Sequence, residues 1–149
     1  MFTVSDMMTP HPHTLSPSHT LADAKKMMAE QGIRHIPITN DENQLVGLVT
    51  QRDVLAAQES SLEHFSKANA ISTLDVSLDQ CMNRTLLSVN SHAGLKEAAT
   101  YMQKHKIGCL PVTHQKKLVG IITDSDFVSI AINLLEIQEE IEPLNEDEA

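Results

Sequence analysis

Cysteine, glycine and positive charge are scarce in this chain, and long apolar runs are missing altogether. Cys81 and Cys109 are too few and too far apart for a disulfide framework or a zinc cluster, so both are expected as small buried hydrophobes. No stretch of about eighteen apolar residues occurs, and Met1 to Pro10 carries neither a basic head nor a signal-length apolar run. A soluble cytoplasmic protein without a membrane partner is expected. The five glycines form neither Gly-x-x-x-x-Gly-Lys-Ser/Thr nor Gly-x-Gly-x-x-Gly, which removes the Walker and Rossmann phosphate loops. Gly-x-Ser-x-Gly and Cys-x-x-Cys are absent as well, and no nucleophile has an activating partner beside it. No catalytic residue is assigned, and no enzyme is expected.

Eleven Lys plus Arg against twenty Asp plus Glu give a formal charge of -9, the opposite of the basic face that nucleic acid requires. Much of the excess lies after residue 135, where Glu136, Glu139, Glu140, Glu142, Glu146, Asp147 and Glu148 stand without a Lys or Arg. His11-Pro12-His13 lacks a third ligand at metal-binding spacing, so no metal is assigned to the eight histidines. What the chain does have is length and apolar content for a core, with 149 residues of which 41% are hydrophobic.

It also has an internal repeat. Shifted by 74 positions, Met8, Leu21, Ala24, Met28, Ile33, Pro37 and Thr39 fall on Met82, Leu95, Ala98, Met102, Ile107, Pro111 and Thr113. Shifted by 73, Leu45-Val46-Gly47, Thr50 and Asp53 fall on Leu118-Val119-Gly120, Thr123 and Asp126. Such self-similarity predicts two copies of a unit that buries its apolar face against its twin. The copies are expected at 1–59 and 76–135, joined by a linker at 60–75, with an acidic helix end and tail at 136–149.

Periodicity gives the elements. Leu21, Ala24 and Met28, like Leu95, Ala98 and Met102, share one helical face, and Gly32 can stop the first helix. Residues 33–38 and 107–112 read as β-branched strands in which Pro37 and Pro111 must lie on an edge or at a strand end. A second strand follows in each copy, Leu45 to Val49 and Leu118 to Ile122, and then a second helix. In the second copy that helix runs long, with Phe127, Ile130, Ala131, Leu134, Leu135 and Ile141 as an amphipathic stripe that Pro143 ends. The fold expected is mixed α/β (α+β), two β-α-β-β-α units packed as a pseudo-two-fold pair.

Two motifs recur at the second helix, Gly47-Leu48-Val49-Thr50-Gln51-Arg52-Asp53 and Gly120-Ile121-Ile122-Thr123-Asp124-Ser125-Asp126. Thr-x-x-Asp in this place is a capping box variant, and it equally offers a carboxylate to ribose hydroxyls and a helix N-terminus to phosphate. Both readings stand. An Asp in each copy, where Glu or Gln is the usual box partner, favours binding. With the preceding Ile36-Pro37-Ile38 and Leu110-Pro111-Val112, the doubled signature resembles the CBS domain family, as a free-standing bacterial-type tandem pair, over roughly residues 1 to 133.

That resemblance implies a cleft between the copies with two sites for adenosine-containing ligands: AMP, ADP, ATP, or S-adenosylmethionine as a further candidate. It assigns Asp53 and Asp126 to ribose and Thr50 and Thr123 to phosphate. Adenine falls to the first-strand segments, with Thr9, His13 and Thr14 in one and Leu87 in the other, beside Ile36-Pro37 and Leu110-Pro111. Cross-packing would combine the Asp of one copy with the first-strand segment of the other. Arg34, His35 and Arg52 become Gly108, Cys109 and Ser125 in the second copy, which points to one stronger phosphate-bearing site. Surface ion pairs for the arginines and a structural imidazole for His35 are the plainer alternatives. The expected function is a regulatory adenosyl-nucleotide sensor, a homodimer whose long last helix meets its twin or an effector protein. The alternative is a dimerisation module with empty clefts and Thr-x-x-Asp pairs that only cap.

Overall fold

The computed structural model describes residues 2–63, 73–85 and 87–141. In the first half α1 (Val4–Met7) and β1 (Thr9–Pro10) precede α2 (Leu21–Gln31), β2 (His35–Thr39), β3 (Leu45–Thr50) and α3 (Gln51–Glu63). After a 3-10 turn at Thr73–Asp75, the second half repeats this order as α4 (Leu78–Cys81), β4 (Val89–Asn90), α5 (Leu95–His105), β5 (Cys109–His114), β6 (Lys117–Thr123) and α6 (Asp124–Ile141). The α+β fold has the two-copy architecture expected. The single-turn helices α1 and α4 were not expected, because four residues are too few to display a helical period.

Local chemistry fixes the ends of α2. Thr20 Oγ1 accepts from the Asp23 N–H (3.2 Å) while the Asp23 carboxylate accepts from the Thr20 N–H (2.9 Å), a reciprocal cap. Gly32 closes the helix in the left-handed region at φ 65°, where the absence of a Cβ avoids strain. At the end of α5 the same role falls to Lys106, at φ 54°.

Each half contains an antiparallel hairpin, with Ile36 opposite Val49 and Pro37 opposite Leu48, and again Leu110 opposite Ile122 and Pro111 opposite Ile121. Neither proline is at a free edge: β2 runs between β3 and a parallel bridge from Leu15, and β5 between β6 and β4. The hydrogen-bond pattern explains the tolerance. Leu48 directs both its N–H and its C=O to Asn83, so the Pro37–Leu48 position is one where β2 owes β3 no donor. Pro111 occupies the equivalent position, and β4 reaches only Val112 and Thr113.

The two halves exchange their leading segments. Val4 joins the core of the second half with Ala98, Met102, Leu110, Val112 and Ile122, and Met8 packs against it. Reciprocally, Leu78 and Met82 enter the core of the first half, among Leu21, Ala24, Met28, Ile36, Ile38 and Val49. Backbone bonds come in matched pairs. Val4 N–H to Ala93 C=O (2.8 Å) corresponds to Leu78 N–H to His19 C=O (2.7 Å), and Leu95 N–H to Phe2 C=O (3.0 Å) to Leu21 N–H to Val76 C=O (3.1 Å). Thr9 pairs with Ile121 of β6, and Asn83 with Leu48 of β3. An approximate two-fold axis therefore relates the halves; it passes near Gln44 and Lys117, equivalent residues that bridge one another.

The sequence units 1–59 and 76–135 are thus contiguous in the chain, but their cores are composite in space. Of the expected linker at 60–75, the first four residues continue α3 and the last three begin with the 3-10 turn, while 64–72 lie outside the described residues. α6 extends to Ile141; 142–149, Pro143 included, lie outside them too. The stripe expected on α6 is partly covered only at its start. Phe127 packs against the second core, whereas Leu134, Leu135 and Ile141 are 57%, 58% and 74% exposed, because the helix runs on past the body that would cover it.

Glycine is required where each exchanged segment crosses a strand. A Cβ on Gly47 would lie 2.7 Å from Met82 Cγ and 3.1 Å from Met82 Cβ, and one on Gly120 would lie 2.9 Å from Met8 Cγ. Met82 is itself buried and pinned by the Asn83–Leu48 bridge, so it has little room to yield. Gly47→Ala is expected to destabilise the protein by about 1–3 kcal/mol in urea denaturation. An unchanged midpoint would contradict this crossing.

Candidate functional site

Both Thr-x-x-Asp motifs sit where a strand hands over to a helix. At α3 the Asp53 carboxylate accepts from the Thr50 N–H (2.8 Å), and Thr50 Oγ1 accepts from the Asp53 N–H (3.3 Å). At α6 Asp126 Oδ2 accepts from the Thr123 N–H (2.9 Å) and the Thr123 hydroxyl (3.3 Å). Capping therefore occurs at both motifs. The preference for binding drawn from Asp in place of Glu does not survive, because Thr3/Asp6 and Thr20/Asp23 form the same box at α1 and α2. What separates Asp126 from those caps is its second oxygen. Thr9, carried across on β1, donates its hydroxyl to Asp126 Oδ1 at 3.3 Å, joining residues 117 positions apart. The cap uses one carboxylate oxygen and leaves the other facing the opposite half.

Beside this contact lies a recess of about 210 Å³, walled by Thr9, Arg34 and His35 from the first half and by Ile121, Thr123, Asp124 and Ser125 from the second. At Arg34, Asp124 and Ser125 it meets a more open recess of about 490 Å³ that reaches Val128 and Ser129 on the first turns of α6. Together they are in the size range of small-ligand sites, about 300–1,000 Å³. The groove is open, and its walls mix charged and hydroxyl side chains with Ile33, Ile121 and Val128. The first N–H groups of α6 are already taken, that of Asp124 by Gly108 C=O (2.9 Å), that of Ser125 by Asp124 Oδ1 (2.8 Å) and that of Asp126 by Thr123 Oγ1 (3.4 Å), so what the helix start offers an anion is the positive end of its dipole.

Thr9, Arg34, His35 and Thr123 thus converge on one groove, with Asp126 bound to Thr9 at its edge. Thr50, Arg52 and Asp53 stand together at the start of α3, the two-fold equivalent place. Arg34 and Arg52, expected at one phosphate site, are therefore at different helix starts; the exchange places Arg34 against the second half. Ile36, Pro37, Leu110 and Pro111 are fully buried core residues, so their side chains are not open to a ligand. Leu87 is half-buried against the second core, and His13 and Thr14 do not line the recess. Asp124 and Ser125 do line it and were missed. As the x positions of Thr-x-x-Asp they occupy the first helical turn, which was the available signal. Arg34 Nη2 lies 3.9 Å from Asp124 Oδ1, an ion pair across the halves between side chains more than half exposed and so of small worth to stability.

Burial lowers the pKa of His35; the nearby Arg34 acts in the same direction and Asp124 opposes it. The ring is neutral at pH 7. The Cys109 thiol is pushed up to about 12 by burial, with Asp124 and Asp126 adding to the rise, and is inert as a nucleophile. Burial also raises the Cys81 pKa, and Asp53 adds to it across the exchanged interface. Among the described residues no group of three or more His, Cys, Asp or Glu is placed to hold a metal ion, and no helix is long and apolar enough to cross a membrane.

The CBS domain profile matches the chain twice, over residues 4–60 and 75–133, and the protein belongs to the CBS domain family as a tandem pair. A crystal structure of a putative acetoin utilization protein (AcuB) from Vibrio cholerae is similar at 57% identity and a TM-score of 0.81, over 96% of this chain and 99% of that one. CBSX2, solved in complex with AMP, is similar at 28% identity and a TM-score of 0.75, over 90% and 98%. The CBS domain-containing protein YhcV of Bacillus subtilis is 29% identical over 133 residues, 89% of this chain and 86% of that protein. The chain spans less than half the length of the first curated relatives it matches; the homoserine O-acetyltransferase of Methanosphaerula palustris is matched over 23% of its length.

The lowered His35 pKa has a consequence for stability. Between the depressed folded value and the ordinary 6.5, the unfolded chain binds more protons than the folded one. Stability present above that window is therefore lost as the pH falls through it. His35→Gln is expected to lack this component, so the gap between its urea midpoint and that of the wild type should change from pH 7.5 to about pH 5.5. Parallel pH profiles for the two proteins would contradict the burial account.

Proposed function

We propose that the chain is a cytoplasmic regulatory sensor that binds an adenosyl ligand between its halves and has no catalytic role of its own. The observation that carries this reading is the Thr9–Asp126 contact, a carboxylate oxygen at a helix start on the edge of one recess built from both halves. A ribose can replace the Thr9 hydroxyl on Asp126 Oδ1 while the cap holds Oδ2. The Ser125 hydroxyl and the positive end of the α6 dipole then face the 5′ end of the ligand. AMP in the similar protein CBSX2 supports the ligand class. Occupancy becomes a signal because the recess is walled by both halves, so a ligand can favour one relative arrangement over another.

AMP at about 100 times its dissociation constant should add roughly 2.7 kcal/mol to stability. Asp126→Ala should weaken binding in titration calorimetry at a temperature where the variant is folded, while also losing about 1 kcal/mol from the cap. A variant that melts earlier but binds AMP as the wild type does would reduce the motif to a cap.

The exposed face of α6 supports the homodimer reading. Val128, Ile132 and Leu135 follow i, i+4, i+7 spacing and are 58%, 51% and 58% exposed, an apolar stripe that a second copy can cover. Light scattering on the wild type is expected to give twice the chain mass, and Leu135→Glu the mass of one chain. A monomeric wild type would overturn this part of the proposal.

A further inference from the structure

The two halves offer a ligand opposite charges, a difference that rests on the adenosyl-binding reading above. In the groove beside Asp126, Arg34 already faces the Asp124 carboxylate at 3.9 Å. His35 on the same wall is neutral at pH 7, so one guanidinium stands against two carboxylates, Asp124 and Asp126, and the groove is net negative. The approximate two-fold carries Arg34, Asp124 and Ser125 onto Gly108, Gln51 and Arg52. Matching backbone bonds, Asp124 N–H to Gly108 C=O and Gln51 N–H to Arg34 C=O, both 2.9 Å, fix that correspondence.

Beside Asp53 the second carboxylate is therefore replaced by the neutral Gln51. Arg52 is exposed and has no ion pair among the described residues. Lys106 stands where the other half has Gly32, and it keeps a left-handed φ of 54° that glycine adopts more easily. By the same correspondence Arg52 and Lys106, both exposed, flank the start of α3, where Asp53 is the motif's carboxylate. A polyphosphate approaching Asp124 meets repulsion, whereas near Arg52 it meets a guanidinium fork suited to phosphate oxygens.

We infer that Asp124 is a specificity-determining residue: it keeps adenine di- and triphosphates out of the Asp126 groove, while Arg52 and Lys106 draw them to the groove beside Asp53. The Asp126 groove is left to adenosyl compounds without a polyphosphate.

Titration calorimetry with ATP tests this on the full chain. The wild type is expected to bind one ATP per chain, Arg52→Ser to bind it at least about tenfold more weakly, and Asp124→Gln to gain a second ATP. All these positions are exposed, and unchanged melting temperatures would show that the variants fold. Two ATP molecules on the wild type, or loss of ATP with Arg34→Gln but not with Arg52→Ser, would overturn the inference. Adenosine titrated into the wild type separates the two levels: adenosine binding combined with charge-insensitive ATP binding sinks this inference alone. No binding of either compound sinks the adenosyl reading with it.

Discussion

The segment that leads into each half crosses a strand of the other, a methionine lying over a glycine: Met8 over Gly120 and Met82 over Gly47. A side chain larger than hydrogen at either glycine would hold the crossing segment away from the strand. The bridges of Thr9 to Ile121 and of Asn83 to Leu48 could then not close. Val4 and Leu78, both fully buried, reach the opposite cores along the same path. Neither half completes its apolar interior alone, so folding and pairing of the repeats are one event.

The groove is a by-product of this exchange. Because β1 joins β6, Thr9 arrives at Asp126, and because the halves face one another about the axis, Arg34 arrives at Asp124. The Thr-x-x-Asp box caps its helix in both copies, and the proposed function adds a second use. One carboxylate oxygen closes the first turn of the helix and fixes the side chain, and at Asp126 the other accepts from Thr9 of the opposite half. Divergence between the copies at a few wall positions, Gly32 and Lys106, Arg34 and Gly108, Gln51 and Asp124, Arg52 and Ser125, leaves the scaffold symmetric and the charge asymmetric.

The repeat, the helical faces and the hairpins were legible because they depend on local periodicity: Leu21, Ala24 and Met28 are buried as their spacing predicts. The meeting of Thr9 with Asp126 was anticipated only in outline, through resemblance, since nothing local ties residues 117 apart. The full burial of Ile36, Pro37, Leu110 and Pro111 was not legible as such, because a motif records which residues recur and not which way they face. The strands that carry them are core on the face that matters. Asp124 was passed over because the comparison of the copies followed positive charge, Arg34 and Arg52, and not the carboxylate that faces Arg34 across the halves. α6 defeats the amphipathic reading for a different reason: its apolar residues lie on several faces, and most of the helix extends past the cores.

A double-mutant cycle on stability tests the exchange most directly, pairing Val4→Ala with Ile122→Ala and separately with Val49→Ala. Val4 shares a core with Ile122, and Val49 lies in the other core. Coupling of at least about 0.5 kcal/mol with Ile122, and additivity within about 0.5 kcal/mol with Val49, is the predicted result. Coupling to Val49 and additivity with Ile122 would mean that the N-terminal segment packs on its own repeat, and the composite groove would not exist.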